Sequence, residues 1–184
     1  MKELSLNILD VAKNSTAAGA SLVEISLELT ADGKRTLSII DNGCGMDAET
    51  LAGVTDPFYT TRKTRKVGMG LPLLKMAAEQ TGGTLSITSS TKAGESGTSL
   101  RATFDTNSID CMPLGDIVST VCILIAGSPD VDFLFTDKRP AGEVVLDTAQ
   151  LREVLGEEIS LAEPEIQQWI KEYLEEQYQS ADPK

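Results

Sequence analysis

The sequence predicts an α+β fold in which antiparallel strand pairs are framed by helices that turn an apolar stripe inward. Three observations carry this expectation. Residues 3 to 18 repeat apolar side chains at helical spacing, with Leu4, Ile8 and Val11 filling out a stripe beside Leu6, Leu9 and Ala12. The runs Leu22 to Leu29 and Thr84 to Ser89 alternate apolar and polar residues with period two. Each run is joined to a second alternating run by a short Gly-containing turn, Ala31-Asp32-Gly33-Lys34 in one case and Lys92 to Gly97 in the other.

Taken in order, the opening helix ends at Gly19, as a glycine C-cap would end it, and the strand Ser21 to Thr30 turns back into Thr36 to Ile40. Asp41-Asn42-Gly43-Cys44-Gly45-Met46 then reads as a strand running into a turn where backbone approaches something closely. Asp47 has the position of an N-cap for a short helix ending at Gly53. Residues 54 to 70 look like a long loop, a hint of a binding lid. An apolar helix follows from Leu71 to Gln80, with Pro72 in its first turn, and Gly82-Gly83 closes it. Thr98 to Phe104 returns as a strand with Leu100, Ala102 and Phe104 on one face.

Beyond Asn107 the texture changes. Pro113 to Ala126 is expected as an apolar helix with Ile117, Val121, Leu124 and Ile125 as its stripe, and Cys111 and Cys122 as core thiols. Two strands, Val131 to Phe135 and Glu143 to Leu146, are expected to join through Lys138 to Gly142. Thr148 is expected to cap a short helix to Leu155. A last helix from Pro164 to Tyr178 would bury Ile166, Trp169, Ile170 and Leu174, leaving a frayed tail from Ser180.

The 184 residues suffice for one core with an appendage, and aromatics at 4% make that core aliphatic. A net charge of −12 argues against binding nucleic acid or an anionic membrane, both of which are held through positive surface. The three cysteines lack paired spacing, so no zinc site or disulfide framework is expected, and reduced thiols suit a cytoplasmic setting. The first residues lack the apolar core of a signal peptide, and no stretch approaches a membrane span. Histidine is absent, which excludes any histidine base, ligand or phosphoacceptor among these residues.

Certain residue types point to chemistry. Asp10 and Asn14 are four apart and face the same way on the first helix, where two oxygen-bearing side chains suit a hydrated magnesium ion. Asp41 at a strand end needs hydrogen-bond donors, and an adenine amine is one candidate. Arg62, Lys63, Arg65 and Lys66 place four cations just before Gly68-Met69-Gly70, where backbone amides at a helix start suit phosphate. Read together, Asp10-x-x-x-Asn14 with Ser15, Asp41-x-Gly43-x-Gly45-Met46, Asp56-Pro57-Phe58-Tyr59-Thr60-Thr61, Gly68-Met69-Gly70-Leu71 and Gly97-Thr98 resemble the ordered boxes of the GHKL superfamily. That superfamily is named for DNA gyrase, a heat-shock chaperone, histidine kinases and MutL, and the resemblance spans roughly residues 3 to 105.

The resemblance implies a Bergerat-type two-layer α/β sandwich over residues 1–106: a mixed, mostly antiparallel sheet covered on one face by helices, with ATP between the layers. Residues 107–184 match no box and are expected as a small α/β extension packed on it. By position, Asn14 would ligate Mg2+, Asp41 would accept the adenine amine, and Gly43, Gly45 and Met46 would line the base. Thr98 would reach the base edge, and Thr61, Arg62, Lys63, Gly68, Met69, Gly70 and Leu71 would form the phosphate-binding lid. The departure is Asp10. The gyrase-like, MutL-like and anti-sigma-kinase branches place a Glu here as general base, whereas histidine kinases usually have Asn. A carboxylate one methylene shorter makes hydrolysis or Ser/Thr phosphorylation slow. The resemblance implies an ATP-dependent kinase or ATPase acting on a partner protein, or alternatively a nucleotide-gated switch with negligible turnover.

Overall fold

A computed structural model describes residues 3–56, 70–156 and 158–182. Among them, twelve elements follow in order: α1 (Leu4–Ala17), β1 (Leu22–Leu29), β2 (Lys34–Asp41), α2 (Ala48–Gly53), α3 (Gly70–Gln80), β3 (Leu85–Ser90), β4 (Gly97–Asp105), α4 (Ile117–Gly127), β5 (Asp132–Arg139), β6 (Gly142–Asp147), α5 (Thr148–Leu155) and α6 (Pro164–Ala181). The strands form one mixed sheet in the order β3-β4-β2-β1-β5-β6. Every neighbouring pair is antiparallel except β1 with β5, which run parallel from Leu22 opposite Asp132 to Glu28 opposite Lys138.

Period-two patterning sorts the sheet into two faces. Val23, Ile25 and Leu27 of β1, Leu37 and Ile39 of β2, Leu100, Ala102 and Phe104 of β4, Phe133 and Phe135 of β5, and Val144 and Leu146 of β6 are buried on the helix side. The other face shows Glu24, Ser26, Ser38 and Arg101, all at least partly exposed, so it can meet water as antiparallel sheets commonly do. Over the buried face α3, α1, α4 and α6 lie side by side, with α1 packed on α3 and α4 and α6 packed on α4 and β6. This is the two-layer α+β arrangement expected from the sequence.

The end of α1 sets the entry into β1. Gly19, at φ +76°, lets its N–H reach the Thr16 carbonyl and that of Ala20 reach the Ser15 carbonyl, a Schellman closure. The start of α1 has no side-chain cap. Instead the N–H groups of Leu4 and Ser5 donate to the carbonyls of Pro113 and Leu114, so residues beyond 107 complete the first helix.

Several expectations are corrected. The apolar helix starts at Ile117, not Pro113, because the Pro113 and Leu114 carbonyls serve the start of α1 and Asp116 caps α4 by accepting from the Ser119 N–H. Asp147, not Thr148, caps α5, accepting from Ala149 and Gln150, while the Thr148 hydroxyl accepts from the Phe133 N–H. β5 continues through Lys138 and Arg139, leaving Pro140-Ala141 as the turn. Cys111 and Cys122 do pack against the core as expected, each partly buried. On α6, Ile170 and Leu174 are buried but Trp169 is 47% exposed, because the stripe facing the sheet passes through Ile170, Leu174 and Ala181 and leaves Trp169 off to one side.

The expected fraying from Ser180 is also absent as far as Asp182. Ala181 is buried, and Asp182 pairs with Arg139, whose Nε donates to buried Asp137 at 3.1 Å. The Tyr178 hydroxyl donates to the same Asp137 oxygen at 2.9 Å, and the Tyr178 ring lies under the Arg139 guanidinium. Burial first, and the Asp137 charge second, push the Tyr178 hydroxyl's pKa far up, so it stays a donor.

Candidate functional site

The sequence-predicted residues fall into two groups. Asp10, Asn14, Asp41, Gly43, Gly45, Met46, Gly70, Leu71 and Thr98 are described, whereas Thr61, Arg62, Lys63, Gly68 and Met69, with the Pro57-to-Thr60 part of their motif, lie outside the described residues. The first group gathers where α1, the ends of β2 and β4, and the start of α3 meet.

Asp41 is the last residue of β2 and has the parity of Leu37 and Ile39, so its side chain stands on the helix side of the sheet. Ser15, buried on α1, donates its hydroxyl to Asp41 Oδ2 at 2.6 Å, and the Gly43 N–H donates to Oδ1 at 3.0 Å. The carboxylate is thereby fixed, yet it is partly exposed and each oxygen keeps acceptor capacity. Thr98 of β4 is the direct cross-strand partner of Asp41, so carboxylate and hydroxyl share one row of the sheet. Ser89 of β3 extends the row: its hydroxyl lies 2.9 Å from the Thr98 hydroxyl, donates to the Gly97 carbonyl at 2.8 Å, and accepts from the Met46 N–H at 2.8 Å.

The glycine turn is needed here for reasons of close packing. A Cβ on Gly45, at φ +70°, would lie 1.9 Å from the Ser90 carbonyl oxygen, and the loop after β2 could not then lie against the end of β3. The same loop is pinned to α1 by the Cys44 N–H donating to the Ala18 carbonyl, and Asn42 holds the start of β1 by accepting from the Ser21 and Leu22 N–H groups.

Asp10 and Asn14 are one turn apart on α1, both partly exposed. Asp10 reaches the start of α3: a Cβ on Gly70 would stand 1.9 Å from Asp10 Oδ2, so the carboxylate lies against the Gly70 backbone. Among the described residues no three His, Cys, Asp or Glu side chains cluster to hold a metal ion. Among the described residues Asp10 and Asn14 offer two oxygen-bearing side chains here, which fits a magnesium ion that keeps waters and takes other oxygens from a polyphosphate.

Ser15 was named only as part of its motif, with no role given, and Ser89 was not singled out. Each is a hydroxyl at a position whose parity calls for an apolar residue, Ser15 in the stripe Leu4, Ile8, Val11, Ala12 and Ser89 after Leu85 and Ile87, and that mismatch is the signal that finds them. Lys138 stands two residues after Thr136 on the outward parity of β5, away from this cleft, and pairs with Glu143 at 3.9 Å.

Residues 1–108 match the family model of histidine kinase-, DNA gyrase B- and HSP90-like ATPases. The signal transduction histidine-protein kinase AtoS of Escherichia coli (strain K12) is 37% identical over 73 residues, which take in 40% of this chain and 12% of the kinase. The sensor histidine kinase ZraS of Klebsiella oxytoca is 33% identical over 64 residues, 35% of this chain and 14% of that protein. The chain thus matches only a small part of the length of these curated relatives. Among solved structures, the Aquifex aeolicus MutL ATPase domain complexed with ADP has a TM-score of 0.53 at 14% identity, covering 84% of this chain and 69% of that one. At that identity the likeness is one of fold.

Proposed function

Because the chain belongs to the family of histidine kinase-, DNA gyrase B- and HSP90-like ATPases, we propose that it binds ATP with Mg2+ between α1 and the β2-β4 part of the sheet and acts as an ATP-dependent kinase or slow ATPase on a partner protein. The observation that supports this reading best is the Asp41 carboxylate, held by Ser15 and Gly43 directly opposite Thr98 with acceptor capacity to spare. In this reading Asp41 accepts the adenine amine, and Thr98 and Ser89 reach the base edge, directly or through water. Gly43, Gly45 and Met46 supply the wall of the base pocket. Asn14 offers an amide oxygen to the metal, and Gly70 and Leu71 present backbone N–H groups at the start of α3 to phosphate. Thr61, Arg62, Lys63, Gly68 and Met69 complete the phosphate side.

Bound ATP with its magnesium supplies a transferable phosphoryl group with its charge partly neutralised. In this reading Asp10 takes a proton from an attacking hydroxyl or water. Its position against the Gly70 backbone sets it beside the N-terminus of α3, where the helix amides and the carboxylate face one locality. No histidine is present among these residues, so a phosphoryl group passed to histidine would go to a residue outside them, and in this reading the acceptor is a partner protein or water.

A second reading, a nucleotide-gated switch with negligible turnover, is favoured by the same residue. Aspartate is one methylene shorter than the glutamate of the hydrolytic branches, and it abuts protein backbone. Phosphate release from purified protein with Mg-ATP separates the two. Asp10→Asn is expected to lower release by about 10²-fold or more while ATP still binds, the scale of a lost general base. Release that is unchanged in Asp10→Asn, with binding intact, would leave the switch as the function.

A further inference from the structure

The chain holds one tryptophan, and Trp169 is 47% exposed on α6. It stacks on Tyr173, itself 37% exposed, with ring centroids 5.0 Å apart and planes 12° from parallel. In a protein this poor in aromatics, two large rings left at the surface form an apolar shelf of the kind enriched at protein interfaces. Tyr173 also walls a groove of roughly 290 Å³ between α6 and β6, lined by Gly142, Glu143, Glu176, Gln177 and Ser180.

Acidic side chains line the shelf and groove, and one of them, Glu143, is paired with Lys138 at 3.9 Å. Glu165, Glu172 and Glu176 flank the rings at helical spacing, and Glu143 reaches the groove from β6. The lysine of this helix, Lys171, lies near Asp116 and Cys122 at α4 and pairs with Glu175 at 3.9 Å. β6 is the edge strand of the sheet, but Gln177 closes its middle: the side-chain amide accepts from the Val145 N–H and donates to the Val145 carbonyl, both at 2.9 Å. An added strand is therefore blocked at that point, and recognition falls to side chains.

We propose that the Trp169–Tyr173 shelf and the adjoining groove are a docking surface for a protein segment that carries arginine or lysine side chains. A cation laid on the ring faces gains from the aromatic quadrupole, its head group meets Glu172 or Glu176, and its aliphatic stem covers the rings. A second copy of this chain is a poor occupant, since twofold pairing of this face sets the same acids against each other. The proposal is independent of nucleotide binding.

Trp169 reports on its own surface, because all tryptophan emission comes from it. The test titrates the full chain with a synthetic peptide of alternating arginine and glycine, and with the same peptide in which citrulline replaces arginine. The expected result is a change in Trp169 emission with the arginine peptide alone, and an affinity about tenfold or more lower in Tyr173→Ala and in Glu172→Lys/Glu176→Lys. A control variant, Glu79→Gln/Glu95→Gln, removes charge elsewhere and is expected to bind as the parent does. Equal weakening in that control, equal binding of the citrulline peptide, or unchanged emission would each overturn the proposal. So would sedimentation showing a dimer that Trp169→Ala dissolves, since the face would then belong to a second copy.

Discussion

Asp41 ends β2 with one oxygen held by Ser15 and the other by the Gly43 N–H, so replacing it by Asn keeps the shape and removes the charge that would meet an amine. Hydrogen bonds to charged groups contribute about 1.5–3 kcal/mol, so Asp41→Asn is expected to weaken ATP binding by roughly 10- to 100-fold in calorimetry. Unaltered affinity would count against the pocket. A second residue tests packing rather than function. Asn7 is fully buried on α1, its Nδ2 donates to the Met112 sulfur at 3.4 Å, and its Oδ1 has no partner among the described residues. An unsatisfied buried acceptor costs about 1–3 kcal/mol, so Asn7→Leu is expected to raise the urea midpoint at unchanged slope; a lower midpoint would show that the amide holds the structure together. At this scale the sequence was informative where chemistry is local. Asp41, Thr98, Asp10, Gly70 and Ser15 were named from their motifs, and the structure brings them to one cleft, whereas Ser89 joins them only because β3 pairs with β4 and sets its hydroxyl beside Thr98.

At the scale of elements, most helices and strands were legible from periodicity, and the misreadings share a cause: each turns on a partner distant in sequence. Pro113 and Leu114 leave the helix because α1 needs acceptors, and Thr148 enters one because its hydroxyl serves β5. Trp169 looked like part of the α6 stripe because hydrophobicity alone cannot say which side of a helix meets the sheet. Helix caps give a pH test. Ser119 donates its hydroxyl and its N–H to Asp116, and these bonds hold the carboxyl below its ordinary value of 3.8. With the folded-state pKa lowered, the unfolded chain binds more protons in the window below 3.8, so this stabilisation is fully present above that value and is lost as pH falls through the lowered one. Asp116→Asn retains a capping oxygen that does not titrate. Its melting temperature is expected to fall less steeply with acid than the parent's below that value; identical slopes would show that Asp116 is not coupled to folding.

For the whole molecule, the strand order was the least legible feature, because the parallel pairing of β1 with β5 joins segments separated by more than a hundred residues and no local pattern encodes it. We propose that residues 107–184 are an accessory layer without which residues 1–106 are poorly stable. They supply Phe133, Phe135, Val121 and Ile125 to the shared core and the acceptors for the first turn of α1. At about 1.5–3 kcal/mol for each large apolar side chain buried, the loss is comparable with the roughly 5–15 kcal/mol margin of a typical domain. A fragment ending at residue 106 is expected to melt at much lower temperature than the full chain, or not cooperatively at all; a fragment as stable as the parent would separate the two parts. The most direct measurement of the central claim is a crystal structure of the full chain grown with magnesium and a non-hydrolysable ATP analogue. The purine amine is expected against the Asp41 carboxylate, with Thr98 at the base edge and the phosphates toward Asn14 and Gly70. A cleft filled by the chain's own side chains, or a nucleotide bound elsewhere, would contradict it.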